Sequence, residues 1–242
     1  TLVIIPSRLS ASRLPGKPLL KINGLSMISH VFQKAIEADI GDVFVATEDQ
    51  EIVDDVKNNG GQVILTSKKP KTGTDRIYEA IKKIEVKDVE LIMNLQGDEP
   101  LMNIEDIRNL HNQMVKTKSK MGTLASKISN QDAYNKESVV KVITKEELDF
   151  KKFPLASSFT RKSKRYDKNT YHHLGIYCYQ LDTLRSFVSF TQTQNELKYK
   201  LEQFRAIDNN IGINVALANS SPVGVDTKED FVAIKKIMEY KS

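Results

Sequence analysis

Short apolar runs alternate with longer segments of helical spacing through the first half of the chain. Leu2–Pro6 and Asp42–Thr47 are rich in branched apolar residues, which is typical of strands buried on both faces. Such strands, separated by helices of about ten to fifteen residues, imply crossover connections and a parallel sheet. We predict strands over Leu2–Pro6, Asp42–Thr47, Gln62–Thr66 and Glu90–Leu95, and helices over Ser26–Ala38, Glu51–Asn59, Thr74–Ile84 and Asn103–Lys118.

The second half of the chain has a different pattern, with more strands and fewer helices. Its strands have only loops between them, which predicts antiparallel additions to the sheet: Thr123–Ile128, Val139–Thr144 and His173–Tyr179. Helices are predicted over Glu196–Ala206 and Lys228–Tyr240, the second opened by a capping pattern of Thr227 and Asp230. We therefore predict one α/β domain over residues 1–242. It has a Rossmann-like, mixed and mostly parallel sheet flanked by helices, with a β-rich antiparallel extension.

The basic excess of the chain is concentrated in one segment. The chain carries 36 Lys and Arg against 31 Asp and Glu, a formal charge of +5. Residues 145–170 hold eight of the basic and four of the acidic side chains, so the rest of the chain is nearly neutral. No aromatic ladder accompanies these charges, and we expect no nucleic-acid partner. Binding of an anionic surface by this segment stays an alternative, and it would weaken steeply with salt.

The number of cysteines and the length of the apolar runs indicate the cellular compartment of the protein. Cys178 is the single cysteine, which excludes a disulfide framework and fits a reducing compartment. No acid and base accompany it along the chain, so we predict a core thiol and not a nucleophile. The longest apolar runs are far shorter than the ~20 residues of a membrane span. We expect a cytoplasmic protein with no membrane insertion.

A loop rich in small and basic residues follows the first strand. In an open α/β sheet this loop lies at the carboxyl edge, where ligands bind. Arg8, Arg13 and Lys17 supply positive charge, and Gly16 allows a tight turn. Small residues let backbone N–H groups approach a ligand, although the spacing is not that of a Walker loop. We predict a phosphate site here, with a solvated basic loop as the alternative.

Two aspartates stand beside glycines at predicted loop positions. Asp98 follows the fourth strand, and Asp226 precedes the last helix. Carboxylates at strand ends suit Mg²⁺, which prefers oxygen ligands. Taken singly, each aspartate is explained by turn or cap geometry. Taken as a pair, they would clamp a metal ion on the phosphates of a nucleotide.

Two further segments carry polar groups of interest. Lys71–Arg76 contains a Gly-Thr turn at a helix start, which can hold an anion or a ribose through its N–H groups. Capping of that helix by Thr74 is the interpretation we favour. His172 and His173 are adjacent on a predicted strand, so only one of them faces a pocket.

Six segments of the chain share the order and spacing of one protein family. They are Ile4–Leu19, Thr72–Arg76, Asn94–Pro100, His173–Tyr177, Leu201–Arg205 and Gly224–Thr227. Together they resemble the 3-deoxy-manno-octulosonate cytidylyltransferases, or CMP-Kdo synthetases. The resemblance covers nearly the whole chain, and the combination is far more specific than any one motif.

The resemblance implies a reaction, a cofactor and an assembly. CMP would pass from CTP to the anomeric hydroxyl of the acid sugar Kdo, releasing pyrophosphate, for lipopolysaccharide biosynthesis. Mg²⁺ would be the cofactor, and the protein would be a homodimer. The implied parts are a nucleotide-binding half over residues 1–120, a sugar-binding and dimerisation half over 121–220, and a metal-binding loop with a closing helix over 221–242.

The resemblance also implies roles for individual residues. Four would be catalytic, namely Arg8, Lys17, Asp98 and Asp226, and of these Asp98 and Asp226 would hold Mg²⁺. Nucleotide contacts are implied for Ser10, Ala11, Ser12, Arg13, Thr74, Arg76 and Gln96. Kdo contacts are implied for Lys152, His173, Glu202 and Gln203.

One segment departs from the family pattern. Where the family carries an arginine after the strand Val139–Thr144, this chain has Lys152 within Leu148–Leu155. Lysine keeps the charge but loses bidentate binding of a carboxylate. Two enzymatic alternatives therefore stay open: a cytidylyltransferase or uridylyltransferase for another acid sugar such as a sialic acid, and a catalytically impaired member of the family.

Overall fold

The structure is a computed structural model that describes residues 1–10, 13–84, 88–128, 131–162, 168–221 and 224–240. The chain forms two compact units. One comprises Thr1–Ile104 and Pro222–Ser242, and the other comprises Glu105–Ser221. The division of residues 1–242 that the sequence suggests stays a prediction. No helix in the described part of the chain combines the length and the apolar character that a membrane crossing demands.

Among its described residues, the first unit contains a parallel sheet, a two-stranded antiparallel pair and four helices. Its strands are β1 (Leu2–Ser7), β2 (Lys21–Ile22), β3 (Leu25–Ser26), β4 (Asp42–Thr47), β5 (Val63–Leu65) and β6 (Leu91–Asn94). Its helices are α1 (Met27–Glu37), α2 (Gln50–Asn58), α3 (Gly73–Lys83) and, near the end of the chain, α9 (Lys228–Tyr240). The helices numbered between α3 and α9 belong to the second unit. A 3₁₀ turn covers Lys17–Leu19.

Strand order in the first unit is β6, β1, β4, β5, and every pairing in this series is parallel. Leu2 pairs with Asp42 on one side and with Ile92 on the other, and Ile4, Val45 and Ile92 are fully buried. The helices α1, α2 and α3 connect successive parallel strands. The parallel sheet predicted from the alternating pattern is thereby confirmed.

The N-terminal caps of α1 and α3 can be compared with the caps predicted from the sequence. Ser26 caps α1 as predicted, since its side chain accepts a hydrogen bond from the Ser29 N–H. The predicted cap of α3 is wrong. Thr72 caps that helix, because its hydroxyl accepts from Asp75 N while the Asp75 carboxylate accepts from Thr72 N. Thr74 lies inside the first turn and is buried.

The second unit contains the mixed part of the fold. Its helices are α4 (Ile104–Thr117), α5 (Gln131–Asn135), α6 (Leu181–Ser189), α7 (Gln194–Tyr199) and α8 (Phe204–Asp208). Its strands are β7 (Met121–Ser126), β8 (Lys141–Thr144), β9 (Ala156–Thr160), β10 (Thr170–Gln180) and β11 (Ile213–Leu217).

Strand pairing in the second unit is mainly antiparallel, as predicted. β10 pairs antiparallel with β7 and β8, and β8 pairs antiparallel with β9. Two strands were not predicted, β9 and β11, and β11 joins β7 in parallel. Cys178 on β10 is fully buried, and burial raises the pKa of its thiol to about 12. The prediction of a core thiol is confirmed.

The helix predicted over Glu196–Ala206 is wrong. The chain leaves α7 at Lys200, whose φ of 52° is left-handed, and Leu201 N donates to Glu196 O across the turn. Leu201 is buried, and α8 begins only at Phe204. The family motif that contains Glu202 and Gln203 therefore lies at a helix-to-helix corner and not within one helix.

A buried ion pair holds this corner together. The Arg205 guanidinium donates to both carboxylate oxygens of Glu196, from Nε at 2.9 Å and from Nη2 at 2.6 Å. Both side chains are at most 4% exposed. The guanidinium also stacks over the Phe187 ring, 4.8 Å from its centroid. The corner thus depends on a bidentate pair that is shielded from water.

We predict that Arg205→Met destabilises the protein strongly. The substitution leaves the Glu196 carboxylate buried without its partner, which costs about 3–5 kcal/mol. The control is Arg185→Met, because Arg185 makes an exposed pair with Asp182 and its loss costs at most about 1 kcal/mol. Urea unfolding followed by circular dichroism measures both values. Equal losses in the two variants would show that the buried pair is no more important than the surface pair.

Candidate active site

A cavity of about 410 Å³ lies in the first unit, beside the ends of β1 and β6. The predicted site residues that line it are Arg8, Ser10, Arg13, Lys17, Arg76, Gln96, Asp98 and Asp226. Thr74 is not in the lining, and Ala11 and Ser12 lie outside the described residues. The structure therefore brings together the basic loop and both predicted aspartates, which are 128 positions apart in the chain.

The basic loop after β1 is held in shape by backbone contacts. Leu9 N donates to the Asp49 carboxylate at 2.7 Å, and Gly16 N donates to Leu9 O at 3.1 Å. Gly16 adopts a φ of 69°, a conformation that a residue with a side chain adopts only with strain. The loop is therefore closed on itself and anchored to the start of α2 by Asp49.

Lys17 joins three separate segments of the first unit. Its ammonium donates to Asp98 Oδ2 at 2.6 Å and to the backbone carbonyl of Val225 at 2.6 Å, and it lies 3.8 Å from Asp226 Oδ1. Arg13 reaches Asp226 Oδ1 at 3.0 Å. Lys17 is largely enclosed, whereas Arg13 is mostly exposed. Two carboxylates thus lie close together because two cations offset their repulsion.

Glu99 is a third carboxyl group beside this cluster. Its Oε2 atom is enclosed and has no hydrogen-bond partner among the described residues. Burial, together with the charges of Asp98 and Asp226, raises the pKa of Glu99 to about 8, and Lys17 opposes that shift. Glu99 is therefore mainly protonated at neutral pH, while its neighbour Asp98 pairs with Lys17.

Arg76 forms part of the cavity wall and is already paired within it. Its guanidinium contacts the Glu48 carboxylate in a short ion pair, and it also donates to the hydroxyl of Thr66. Arg76 is only 3% exposed. Its charge is therefore offset inside the wall, and the pair fixes the position of the first turn of α3. A direct nucleotide contact by Arg76 stays a prediction.

The sequence analysis singled out Lys71–Arg76 as a segment that can hold an anion or a ribose, but it named only Thr74 and Arg76 within it as site residues. Pro70, Lys71, Thr72 and Gly73 line the cavity, whereas the prediction singled out Thr74. The signal was present in the sequence, because the first N–H groups of a helix lack intrahelical partners and attract anions. A cap placed at Thr72 instead of Thr74 would have identified these residues.

The donor chemistry of Asp98 and Asp226 fits a magnesium ion. Mg²⁺ in nucleotide enzymes is usually held by one or two carboxylates together with phosphates and waters, not by an all-protein cage. The two aspartates flank Lys17 at the open side of the cavity, and each is partly exposed. A metal ion would reach them from the same space that a triphosphate would occupy.

The predicted sugar-binding residues lie in the second unit. His173 is 8% exposed, and its ring centroid lies 5.5 Å from that of Tyr177. Burial raises the pKa of Tyr177, and the charges of Tyr179 and Glu202 add to the shift. The buried Nε2 of Gln203 has no hydrogen-bond partner among the described residues. His173 and Gln203 are thus buried polar groups, whereas Glu202 is half-buried.

Lys152 has a more exposed setting than these three residues. It lies on a turn after Asp149, with its ammonium 3.9 Å from that carboxylate.

In the rest of the basic segment, Lys162 pairs with Glu137 and Arg161 donates to three backbone carbonyls. Several of the segment's described cations thus have local partners.

Comparison with solved structures identifies the class of protein. A CMP:2-keto-3-deoxy-manno-octonic acid synthetase, solved in complex with CTP, matches with a TM-score of 0.89 and 32% identity, covering 100% of this chain and 99% of that one. A cytidylyltransferase from Leptospira borgpetersenii shares the fold at a TM-score of 0.64 and 15% identity, covering 98% and 86% of the two chains. The fold and the basic, aspartate-flanked cavity define a nucleotidyltransferase.

Sequence comparison identifies the family. The cytidylyltransferase family model matches residues 2–214. The 3-deoxy-manno-octulosonate cytidylyltransferase of Rhodopseudomonas palustris is 39% identical over 99% of this chain and 98% of its own length. That of Haemophilus influenzae is 36% identical over 98% and 97%. The chain belongs to the 3-deoxy-manno-octulosonate cytidylyltransferase family, which confirms the resemblance stated from its motifs.

We predict that Glu99 makes the stability of the metal-free protein fall as the pH rises. Its pKa is raised from 4.5 to about 8, so between these values the folded state binds more protons than the unfolded state. The contribution is fully present below pH 4.5 and is lost as the pH passes 8. Urea unfolding in a chelator across this range should show a decline that Glu99→Gln lacks.

Glu229→Gln is the matched control, because Glu229 is exposed on α9. This variant should keep the pH dependence of the parent protein. The free energies of unfolding of Glu99→Gln and of the parent protein are compared at each pH. A difference that stays constant would show that folding does not raise the pKa of Glu99, which would contradict the prediction.

Proposed function

We propose that this protein transfers CMP from CTP to the anomeric hydroxyl of Kdo, releasing pyrophosphate, and that the product serves lipopolysaccharide biosynthesis. The observation that carries the proposal is the cavity in which Arg8, Arg13 and Lys17 face Asp98 and Asp226, in a chain of this family. A triphosphate needs several cations in a confined space, and this cavity supplies them.

The basic loop would bind the triphosphate of CTP. Its cations come from both ends of the loop, and Asp49 and Gly16 hold its backbone in a fixed turn. In phosphoryl transfer the protein mainly positions the reactants and neutralises charge. Lys17 is best placed for the second task, because it is the most enclosed cation of the cluster and already lies between two carboxylates.

Asp98 and Asp226 would hold Mg²⁺ on the phosphates of CTP. The ion would supply charge neutralisation on the pyrophosphate leaving group. The chain's own contribution is to keep the two carboxylates together, through Lys17 and through the hydrogen bond from Val225 N to Asp98 O at 2.9 Å. Glu99, mainly protonated, adds little negative charge to the cluster at neutral pH.

The chemical step is a direct displacement at phosphorus. The anomeric oxygen of Kdo forms a bond to the α-phosphorus of CTP, the bond from that phosphorus to the bridging oxygen breaks, and the hydroxyl proton is released to water. Pyrophosphate leaves with the electron pair of the broken bond. No protein base is needed if cations lower the pKa of the attacking hydroxyl.

Residues of the second unit would select the sugar. His173, Glu202 and Gln203 are mostly enclosed polar groups, and enclosed polar groups discriminate by hydrogen bonding. Lys152 would meet the sugar's carboxylate as a single cation, without the bidentate geometry of arginine. Its partial exposure and its weak pairing with Asp149 leave its ammonium available.

The proposal also covers the assembly and the compartment. We propose a homodimer formed through the second unit and a cytoplasmic location, in keeping with the family resemblance and with a single, buried cysteine thiol. Analytical ultracentrifugation at micromolar concentration tests the dimer, and a sedimentation coefficient of a 27.4 kDa monomer would contradict it.

We predict that Asp98→Asn and Asp226→Asn each lower turnover at least about 100-fold, because a catalytic metal supplies several kcal/mol of charge stabilisation. Pyrophosphate release measures turnover, and Mn²⁺ binding detected by electron paramagnetic resonance in the presence of CTP measures metal affinity. Asp182→Asn, on the exposed face of α6, is the control and should keep normal rates. Near-normal turnover in either site variant would exclude that residue from the metal site.

We predict that Kdo, and not a sialic acid, is the accepted sugar. Pyrophosphate release from CTP is measured with a panel of acid sugars at equal concentration. Turnover with Kdo alone supports the proposal, and turnover with a sialic acid but not Kdo would replace the substrate. CTP binding without turnover at saturating Kdo would identify a catalytically impaired protein.

A further inference from the structure

Thr123 is a hydroxyl group in the middle of the second unit's sheet, and it is fully buried. Its Oγ1 has three close neighbours on β10. It lies 2.7 Å from the carbonyl oxygen of Ile176, 3.2 Å from that of Leu174 and 3.0 Å from His173 Nε2. A single side-chain oxygen therefore meets two backbone acceptors and one ring nitrogen.

An irregularity in strand pairing creates this arrangement. Leu174 pairs with Leu124, but the next pair along β7 is Thr123 with Tyr177, so β10 has two extra residues at this point. One of them is Gly175. Such a bulge re-aims the backbone and interrupts the regular ladder. The carbonyls of Leu174 and Ile176 turn towards the Thr123 hydroxyl as a result.

The protons in this cluster can be assigned by counting donors and acceptors. A threonine hydroxyl has one proton to donate and two lone pairs, whereas a carbonyl oxygen only accepts. The proton of Thr123 must therefore point at the backbone carbonyls, because otherwise two oxygens would face Oγ1 at 2.7 and 3.2 Å with no proton between them. Oγ1 is then an acceptor towards His173, and Nε2 of that ring carries the proton.

We propose that Thr123 is a positioning residue that holds His173 in the Nε2–H tautomer, leaving Nδ1 as a hydrogen-bond acceptor for a hydroxyl of the substrate. The second half of this statement rests on the proposed function. A bare ring nitrogen attracts O–H groups and repels carboxylates. His173 thus recognises the neutral, hydroxylated part of the acid sugar, and the carboxylate has to be bound by a cation elsewhere.

The surroundings of the ring keep it neutral. Phe159 meets the imidazole edge-on, with centroids 5.0 Å apart, and Tyr177 packs at 5.5 Å. Burial, together with the neighbouring His172, lowers the pKa of His173 to about 3. A neutral imidazole has one donor and one acceptor nitrogen, so the assignment of one determines the other.

The tautomer is tested directly by ¹⁵N nuclear magnetic resonance of the intact protein labelled at histidine. Four histidines are present, and the His173→Gln spectrum assigns the signal of His173. We expect the Nε2–H form in the parent protein at neutral pH. Thr123→Val, which keeps the shape but removes the acceptor, should shift the signal towards the Nδ1–H form, and Thr123→Ser should restore the parent spectrum. An Nδ1–H signal in the parent protein, or an unchanged signal in Thr123→Val, would overturn the proposal.

Kinetics test the consequence for the sugar. Thr123→Val should raise the KM for Kdo about tenfold, the loss expected for one misdirected hydrogen bond, while the KM for CTP stays unchanged. Thr123→Ser should keep the parent values. If Thr123→Val does not fold, the parent spectrum and the serine variant still decide the tautomer.

The two readouts separate this proposal from the proposed function. A parent protein with the expected tautomer but no turnover of Kdo contradicts the function and leaves the assignment of Thr123 intact. A parent protein that uses Kdo but shows the Nδ1–H tautomer contradicts the assignment and leaves the function intact. A tautomer shift in Thr123→Val with no change in the KM for Kdo would overturn the hydroxyl contact of His173.

Discussion

The ammonium of Lys17 is the contact on which the candidate active site depends. It binds Asp98, the carbonyl of Val225 and, at longer range, Asp226, and it thereby connects three segments that are far apart in the sequence. Without a cation at this point, two aspartates and a neighbouring glutamate would repel one another in a partly enclosed space. Burial, and after it the charges of Asp98 and Asp226, raise the pKa of the neighbouring Glu99, and Lys17 opposes that shift. The contacts of Lys17 with these carboxylates therefore hold the cavity-lining segments together without a bound substrate.

The polar groups of the two units differ in charge and in exposure. In the first unit the groups that face the cavity are charged and partly open to water, which suits a polyanion bound with metal. In the second unit the polar side chains of His173 and Gln203 are buried, and burial lowers the pKa of His173, which favours the neutral ring. Buried neutral groups of this kind suit hydrogen bonding to hydroxyls. Enclosed polar groups need a defined orientation. The Thr123 hydroxyl sets the orientation of the His173 ring. The Arg205–Glu196 ion pair stabilises the turn between α7 and α8 that carries Glu202 and Gln203.

Sequence patterns predicted the first unit well because its elements are specified locally. The strand β1 is a continuous apolar run, and Ser26 caps α1 through contacts three residues away. The misplaced cap of α3 was a local error, because Thr72 and Asp75 are three residues apart. The error at α7 occurred where tertiary contacts override local preference. The residues of Glu196–Ala206 have helical spacing, yet burial of Leu201 and the left-handed Lys200 end the helix early. The strand β11 was missed, although its pairing with β7 and its burial are clear in the fold.

The sequence by itself determined the class of fold, the family and eight of the residues that line the cavity, because these follow from apolar periodicity and from motifs that keep their order along the chain. Only the tertiary structure decided which of these polar groups are buried and which partners they contact. Asp98 and Asp226 are equivalent aspartates in the sequence, and His173 is one of four histidines. Asp98 is paired with a lysine from another loop, and His173 contacts a hydroxyl from another strand. Electrostatics and hydrogen bonding act through space, and local sequence does not record those distances.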